Sequence, residues 1–170
     1  LLDPSYDIEE PRLRQKLQSL SMEGVLVGLH PSFSTWQEPG PIQKQKDRLE
    51  RVVMHPVKLC RQHWMKFSWS STWNAQQTAG LELDTTLGFN DRTGFRNGAA
   101  LDFHPWDFIS GKPMAIRSVP MILMDSHIYD YHSFNEGERA QEIERLLDEL
   151  KKIGGTGTII WHQQVFNGDY

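Results

Sequence analysis

One cysteine, Cys60, stands in the 170 residues, so an internal disulfide framework is excluded and the fold has to rest on an apolar core. No apolar run approaches the roughly 18 residues that cross a bilayer, which excludes a membrane span in this segment. Positive charge is not in excess either. Eighteen Lys and Arg face 22 Asp and Glu, for a formal net charge of -4, so no basic field exists to hold a phosphate backbone and nucleic acid is not the expected partner. A glycine-lysine phosphate loop, a glycine fingerprint joining strand to helix, and a nucleophile-elbow serine are all missing. Nucleotide binding and α/β-hydrolase serine chemistry therefore have no support. Cys60 has no identified base beside it, so a core thiol is expected rather than a nucleophile. The chain opens on Leu1 with no charged-then-apolar leader, which suggests a processed start or a piece of a longer protein.

What is present fits one globular domain: 38% hydrophobic and 24% charged residues. Amphipathic helices alternate with short apolar runs. A first helix is expected from Pro11, with Leu13, Leu17 and Leu20 on one stripe and Gly24 as its stop. Residues 25–29 then suggest a buried strand running into His30-Pro31-Ser32. A second helix over about 42–53 is halted by His55-Pro56, and a strand over 57–60 leads into Arg61-Gln62-His63. A weaker helix over 70–79, closed by Gly80, precedes a strand at 81–83 that ends on Asp84. Residues 85–118 carry Gly88, Gly94, Gly98, Pro105, Gly111 and Pro113, and predict a loop-rich excursion with short strands, suited to the wall of a cleft. A strand over 119–124 ends on Asp125. The clearest helix begins at Asn135, where Glu138 completes a capping box, with Ala140, Ile143, Leu146, Leu147 and Leu150 as its apolar face and Gly154-Gly155 as its stop. A strand over 158–161 closes on His162.

Strands separated by helices predict an α/β class with parallel strands, because parallel neighbours need a crossover and that crossover is usually helical. In such folds the chemistry gathers at the carboxyl ends of the strands. Those ends carry His30, Arg61 with His63, Asp84, Asp125 and His162, and their common placement is the functional signal.

The same segments resemble a known family. Asp7-Ile8 and Gly28-Leu29-His30-Pro31-Ser32, Arg61-Gln62-His63, Leu83-Asp84-Thr85, Gly94-Phe95-Arg96-Asn97-Gly98 and Ile160-Trp161-His162 are similar to motifs of the NodB-like polysaccharide deacetylases of carbohydrate esterase family 4, in a divergent bacterial branch. The resemblance implies a partial (β/α)7 distorted barrel, residues 1–170 forming one deacetylase-like domain that begins after the barrel's first strand. Two departures concern the metal. The family's second histidine, four residues after the first, is Ser34 here, with His63 as the candidate replacement; the family's paired-aspartate motif has no match in residues 1–7, where Asp3 stands alone before Pro4.

The implied reaction is hydrolysis of acetyl groups on a polysaccharide or related glycan, assisted by a divalent metal, with zinc the expected ion. His30 and His63 are the implied ligands. For His30 the alternative is a hydrogen-bonded residue under the Pro31 turn. His162 would be the general acid, a role suited to a side chain that ordinarily titrates near neutrality, or else a buried histidine beside Trp161. Arg61 would orient a carboxylate and Asp84 would hold His162 or Arg61; the alternative for both is a structural ion pair. Trp36, Phe103 and Trp106 offer aromatic faces to sugar rings, and Arg96, between glycines, either meets the ligand or sits in a tight turn. His104, His127 and His132 are expected at the surface or behind the site. The second function class is a non-catalytic carbohydrate-binding or assembly protein on a degenerate barrel. A soluble chain is expected, with the bacterial cytoplasm one candidate compartment.

Overall fold

The computed structural model describes residues 3–163 and 165. It divides into two compact units, Leu1–Asp84 with His104–Arg117 and Thr85–Phe103 with Ser118–Tyr170.

In the first unit, helix α1 spans Pro11–Met22. Proline suits the first turn, where its missing N–H would have had no partner, and the Glu10 carboxylate accepts the Leu13 N–H. Helix α2 spans Pro39–Val53, beginning three residues before Ile42 because Pro39 and Pro41 also fit a first turn. Ile42, Leu49, Val52 and Val53 form its buried face, and Met54 ends it in a left-handed conformation (φ 60°). Strand β1, Leu59–Cys60, pairs in parallel with β2, Leu83–Asp84, in the register Leu59 to Leu83 and Cys60 to Asp84. Helix α3, Thr72–Thr78, lies between them in the chain and Gly80 (φ 77°) turns the chain out of it. Arg117 of β5, Arg117–Ser118, donates its N–H to the Glu82 carbonyl. Leu29, Ile42, Leu49, Val52, Val53, Val57, Cys60, Ala75, Ala79 and Leu81 make one core.

The strand expected over 25–29 shrinks to a single parallel bridge between Leu29 and Cys60. Val25 and Leu26 are exposed and only Leu29 is buried, because backbone pairing begins at Leu29 and the residues before it have no ladder to hold them. Within the excursion, β3 (Trp106–Asp107) and β4 (Lys112–Pro113) make an antiparallel hairpin, and Asp107 ties its turn by accepting from the Ile109 N–H and the Ser110 hydroxyl.

In the second unit, β6 (Met121–Met124) pairs in parallel with β7 (Thr158–Ile160). Helix α4, Asp125–Tyr129, starts where the strand stops, and the Met124 N–H donates to His127 Nδ1. Helix α5 spans Glu136–Ile153 with the expected capping box: Glu138 N–H to Asn135 Oδ1 at 3.0 Å, and Asn135 N–H to Glu138 Oε2 at 2.8 Å. Leu146 is buried against Ile122, Leu123 and Ile128, with Ile143 and Leu150 beside it. Ala140 and Leu147, expected on the same face, are exposed, since the buried stripe follows positions 143, 146 and 150.

The class is mixed α/β with parallel pairings, as expected. The strands fall into sheets of three, two and two, and no sheet closes among the described residues.

Candidate functional site

Parallel pairing puts the polar residues of the first unit in a row. Leu29, Cys60 and Asp84 are neighbours across the sheet, and His30 and Arg61 each follow at the carboxyl end. His30 Nδ1 lies 2.7 Å from the Arg61 carbonyl oxygen, to which it donates, fixing the tautomer with the lone pair on Nε2. His63 Nδ1 lies 2.8 Å from Asp3 Oδ1, and the two imidazole rings are 4.9 Å apart between centroids. Asp3 Oδ1 also accepts the Phe33 N–H at 2.8 Å. That backbone donor, then His63, holds the Asp3 carboxyl below the usual carboxylate range. Asp3, which in sequence stands alone before Pro4, is thus the carboxylate partner of His63.

Asp84 is fully buried beneath this row. Its Oδ2 accepts from Trp73 Nε1 at 3.1 Å and its Oδ1 from Gln76 Nε2 at 2.7 Å, both donors coming from α3. Burial pulls the Arg61 guanidinium below its ordinary value, and the Asp84 charge works against that. The Asp84 charge thus acts on Arg61, while the hydrogen bonds given for the Asp84 carboxylate come from Trp73 and Gln76. Burial, followed by the Asp84 charge, pushes the Cys60 thiol up, which suits a core cysteine.

The carboxylate that holds His162 is Asp125. It is fully buried at the end of β6, and its Oδ1 lies 2.7 Å from His162 Nδ1 while its Oδ2 accepts the His162 N–H at 2.8 Å. Asp125 follows directly on β6 and His162 lies two residues past the end of β7, and the parallel pairing of those strands is what brings positions 37 apart into contact. The His162 side chain is 44% exposed, so its Nε2 edge can meet a reactant while Nδ1 stays tied. It is not the buried histidine that the proximity of Trp161 allowed.

Trp36 is half-buried, with the Lys66 ammonium 5.5 Å from its ring centroid. Trp106 is exposed on the β3–β4 hairpin. Phe103 makes an antiparallel bridge to Ser118. Arg96 donates from Nη1 to the Gly88 carbonyl at 3.1 Å, between Gly94 (φ 111°) and Gly98 (φ 71°), so its surroundings match the tight-turn alternative. His127, expected at the surface or behind the site, is fully buried. It accepts the Met124 N–H and donates from Nε2 to the Phe89 carbonyl at 3.0 Å, and burial holds it below the ordinary histidine value. His104 Nδ1 faces the Met114 and Ile116 carbonyls, and His132 stacks on Phe134.

Two imidazoles whose second nitrogens are oriented by a carbonyl and a carboxylate have the donor chemistry that suits a zinc-type ion. Among the described residues, however, no three His, Cys, Asp or Glu side chains are grouped to hold a metal. Asp3 is turned onto His63 instead of standing beside it as a third ligand.

No family model matches the sequence, and no curated protein matches it. Among solved structures the fold is similar to one described as "putative polysaccharide deacetylase from Mycobacterium smegmatis", with a TM-score of 0.61 and 17% sequence identity. The likeness covers 91% of this chain and 55% of that one, so the chain spans about half of that structure's length. It establishes a deacetylase-like fold.

Proposed function

We propose that the chain is a hydrolase that removes acetyl groups from an acetylated glycan. The observation that carries this reading is the Asp125–His162 pair, a buried carboxylate fixing a half-exposed imidazole at the ends of parallel strands in a deacetylase-like fold. Water adds to the acetyl carbonyl and loses a proton to solvent, the bond from the acyl carbon to the sugar nitrogen or oxygen breaks to release acetate, and the leaving nitrogen or oxygen takes a proton. His162 Nε2 supplies that proton as general acid, because Nδ1 is committed to Asp125. Asp125 acts by holding the ring in one orientation and by stabilising the imidazolium.

His30 and His63 are the residues that would hold a divalent metal, each presenting Nε2 because Nδ1 is tied to Arg61 O and Asp3 Oδ1 respectively. When bound, such an ion supplies polarisation of the acyl carbonyl and a water of lowered pKa. Arg61, held at the end of β1, keeps the His30 ring in place through its carbonyl. Trp36, Phe103 and Trp106 remain the aromatic candidates for sugar contact. The partial (β/α)7 barrel belongs to the same proposal, supported by the parallel β1–β2 and β6–β7 pairings.

A second reading, in which the protein binds carbohydrate and does not hydrolyse it, has one observation in its favour: no three-ligand group is present among the described residues. Acetate release separates the two. Purified protein with zinc and acetylated chito- or xylo-oligosaccharides should liberate acetate, and His30→Ala and His63→Ala should each abolish zinc-dependent turnover. Binding of the same oligosaccharides with no acetate released would establish the second reading.

A further inference from the structure

The short turn His63–Met65 holds two bulky residues in the left-handed region, Trp64 at φ 56°, ψ 26° and Met65 at φ 47°. A Cβ makes that conformation unfavourable, and neither residue is a glycine, asparagine or aspartate that would relieve it. The turn is fixed by its surroundings: Met65 is buried, its N–H bonds the Gln62 carbonyl, and the Lys66 N–H bonds the His63 carbonyl. The consequence of the strain is the placement of Trp64, whose indole is 62% exposed beside His63. Backbone strain that ends in an exposed aromatic next to a tied histidine suggests a function for the displayed ring.

Around it stand two more rings and one cation. Phe33 meets Trp64 edge-on at 6.2 Å and His63 edge-on at 6.3 Å. The Lys66 ammonium lies 4.0 Å from the Phe33 centroid and 5.5 Å from that of Trp36. Two π faces fix the ammonium, yet among the described residues it makes no hydrogen bond and no ion pair. An ammonium has three donors, and aromatic faces leave them to be satisfied by a ligand or by water.

Resting on the hydrolase reading above, we propose that Trp64, Phe33, Trp36 and Lys66 form a subsite for a carboxylate-bearing sugar, so that the glycan substrate is an acidic one. The C–H face of the sugar ring lies on the exposed Trp64 indole, and its carboxylate takes the Lys66 ammonium in a charge-assisted hydrogen bond. A neutral ring gains the stacking but not the ion pair, and the subsite discriminates on that difference.

The test uses partially O-acetylated tetragalacturonate and its methyl ester, which share rings and acetyl groups and differ in charge. Calorimetric titration of the whole chain should show the acid binding about tenfold tighter than the ester, the lower end for a hydrogen bond to a charged group. Lys66→Met, which keeps the apolar stem over Phe33, should reduce that ratio to about one, and Lys66→Arg should preserve it. Trp64→Gly relieves the left-handed strain, so it should melt no lower than the parent while weakening both forms alike. Equal affinity of the parent for acid and ester, or a preference that survives Lys66→Met, overturns the subsite. Acetate measured in the same samples separates the two ideas. Release without an acid preference overturns the subsite and leaves the hydrolase standing; an acid preference lost in Lys66→Met, without release, supports the subsite and overturns the hydrolase.

Discussion

Removing the Asp84 carboxylate should unfold the first unit's sheet more readily than any surface change, and the size of the effect follows from its partners. In Asp84→Ala, Trp73 Nε1 and Gln76 Nε2 both lose a buried acceptor, at 3.1 and 2.7 Å. An orphaned buried donor costs about 1–3 kcal/mol, so the pair costs about 2–6 kcal/mol. For a chain of this size that is roughly 5–20 °C in melting temperature. Trp73→Phe removes one donor and keeps a ring in the cluster that packs at 4.6 Å on Phe67, so alone it should cost about 1 kcal/mol. In the Asp84→Ala background the same change should cost nothing or restore stability, since the orphan is gone. Urea or thermal melts of the four proteins give the coupling. A loss below about 1 kcal/mol for Asp84→Ala, or additive single costs, would refute the assignment of Asp84 as the buried acceptor that ties α3 to β2.

Cys60, buried with its thiol pushed up, should resist an aromatic disulfide reagent at pH 8 and react at the rate of unfolding when denaturant is added; immediate labelling of the native protein contradicts its placement. Gly88→Ala should be strongly destabilising, because an added Cβ would lie 2.3 Å from Met121 Cε and 2.7 Å from the Met121 carbonyl oxygen, and the backbone oxygen cannot swing away. A cost of about 1–3 kcal/mol is expected from melts, and a neutral result would contradict the close approach of the chain at Gly88 to β6. His127 is buried and held below the ordinary histidine value, so the unfolded chain binds its proton first. Its contribution is therefore full above about pH 6.5 and lost as the pH falls toward the depressed folded value. Unfolding free energy measured from pH 7.5 to 5 should decline, and His127→Gln should flatten the decline. The same slope in the variant would assign it elsewhere.

Local chemistry was legible in the sequence and long-range pairing was not. Asn135 and Glu138 announce α5 because both halves of a capping box sit within one turn, and Pro11 and Gly80 mark boundaries through their own backbone restrictions. The apolar run at 25–29 carries no information about how many neighbours it will have, so a buried strand was expected where Val25 and Leu26 face solvent. Helix α4 escaped notice because it follows β6 without a polar turn, its start being set by His127 reaching back to the Met124 N–H. The strand-end positions of His30, Arg61 and Asp84 followed from alternating helices and strands, and the register of β1 with β2 agrees. The carboxylate partners did not follow. Asp3 and His63 are 60 positions apart and Asp125 and His162 are 37 apart, so each pairing depends on three-dimensional packing that no local pattern encodes. Trp64 could have been noticed as an aromatic next to a candidate ligand, but its exposure depends on a left-handed backbone that tryptophan does not advertise.

The most direct measurement is acetate release by the parent protein, His162→Gln and Asp125→Asn on an acetylated oligosaccharide, with melting curves for all three. The parent should turn over, His162→Gln should lose about 10²–10⁴-fold with the melting temperature little changed, and Asp125→Asn should lose less but be destabilised, because only Asp125 is buried. A parent protein that releases no acetate, or a His162→Gln variant that releases it at the parent's rate, would contradict the assignment of His162 as the general acid of a hydrolase.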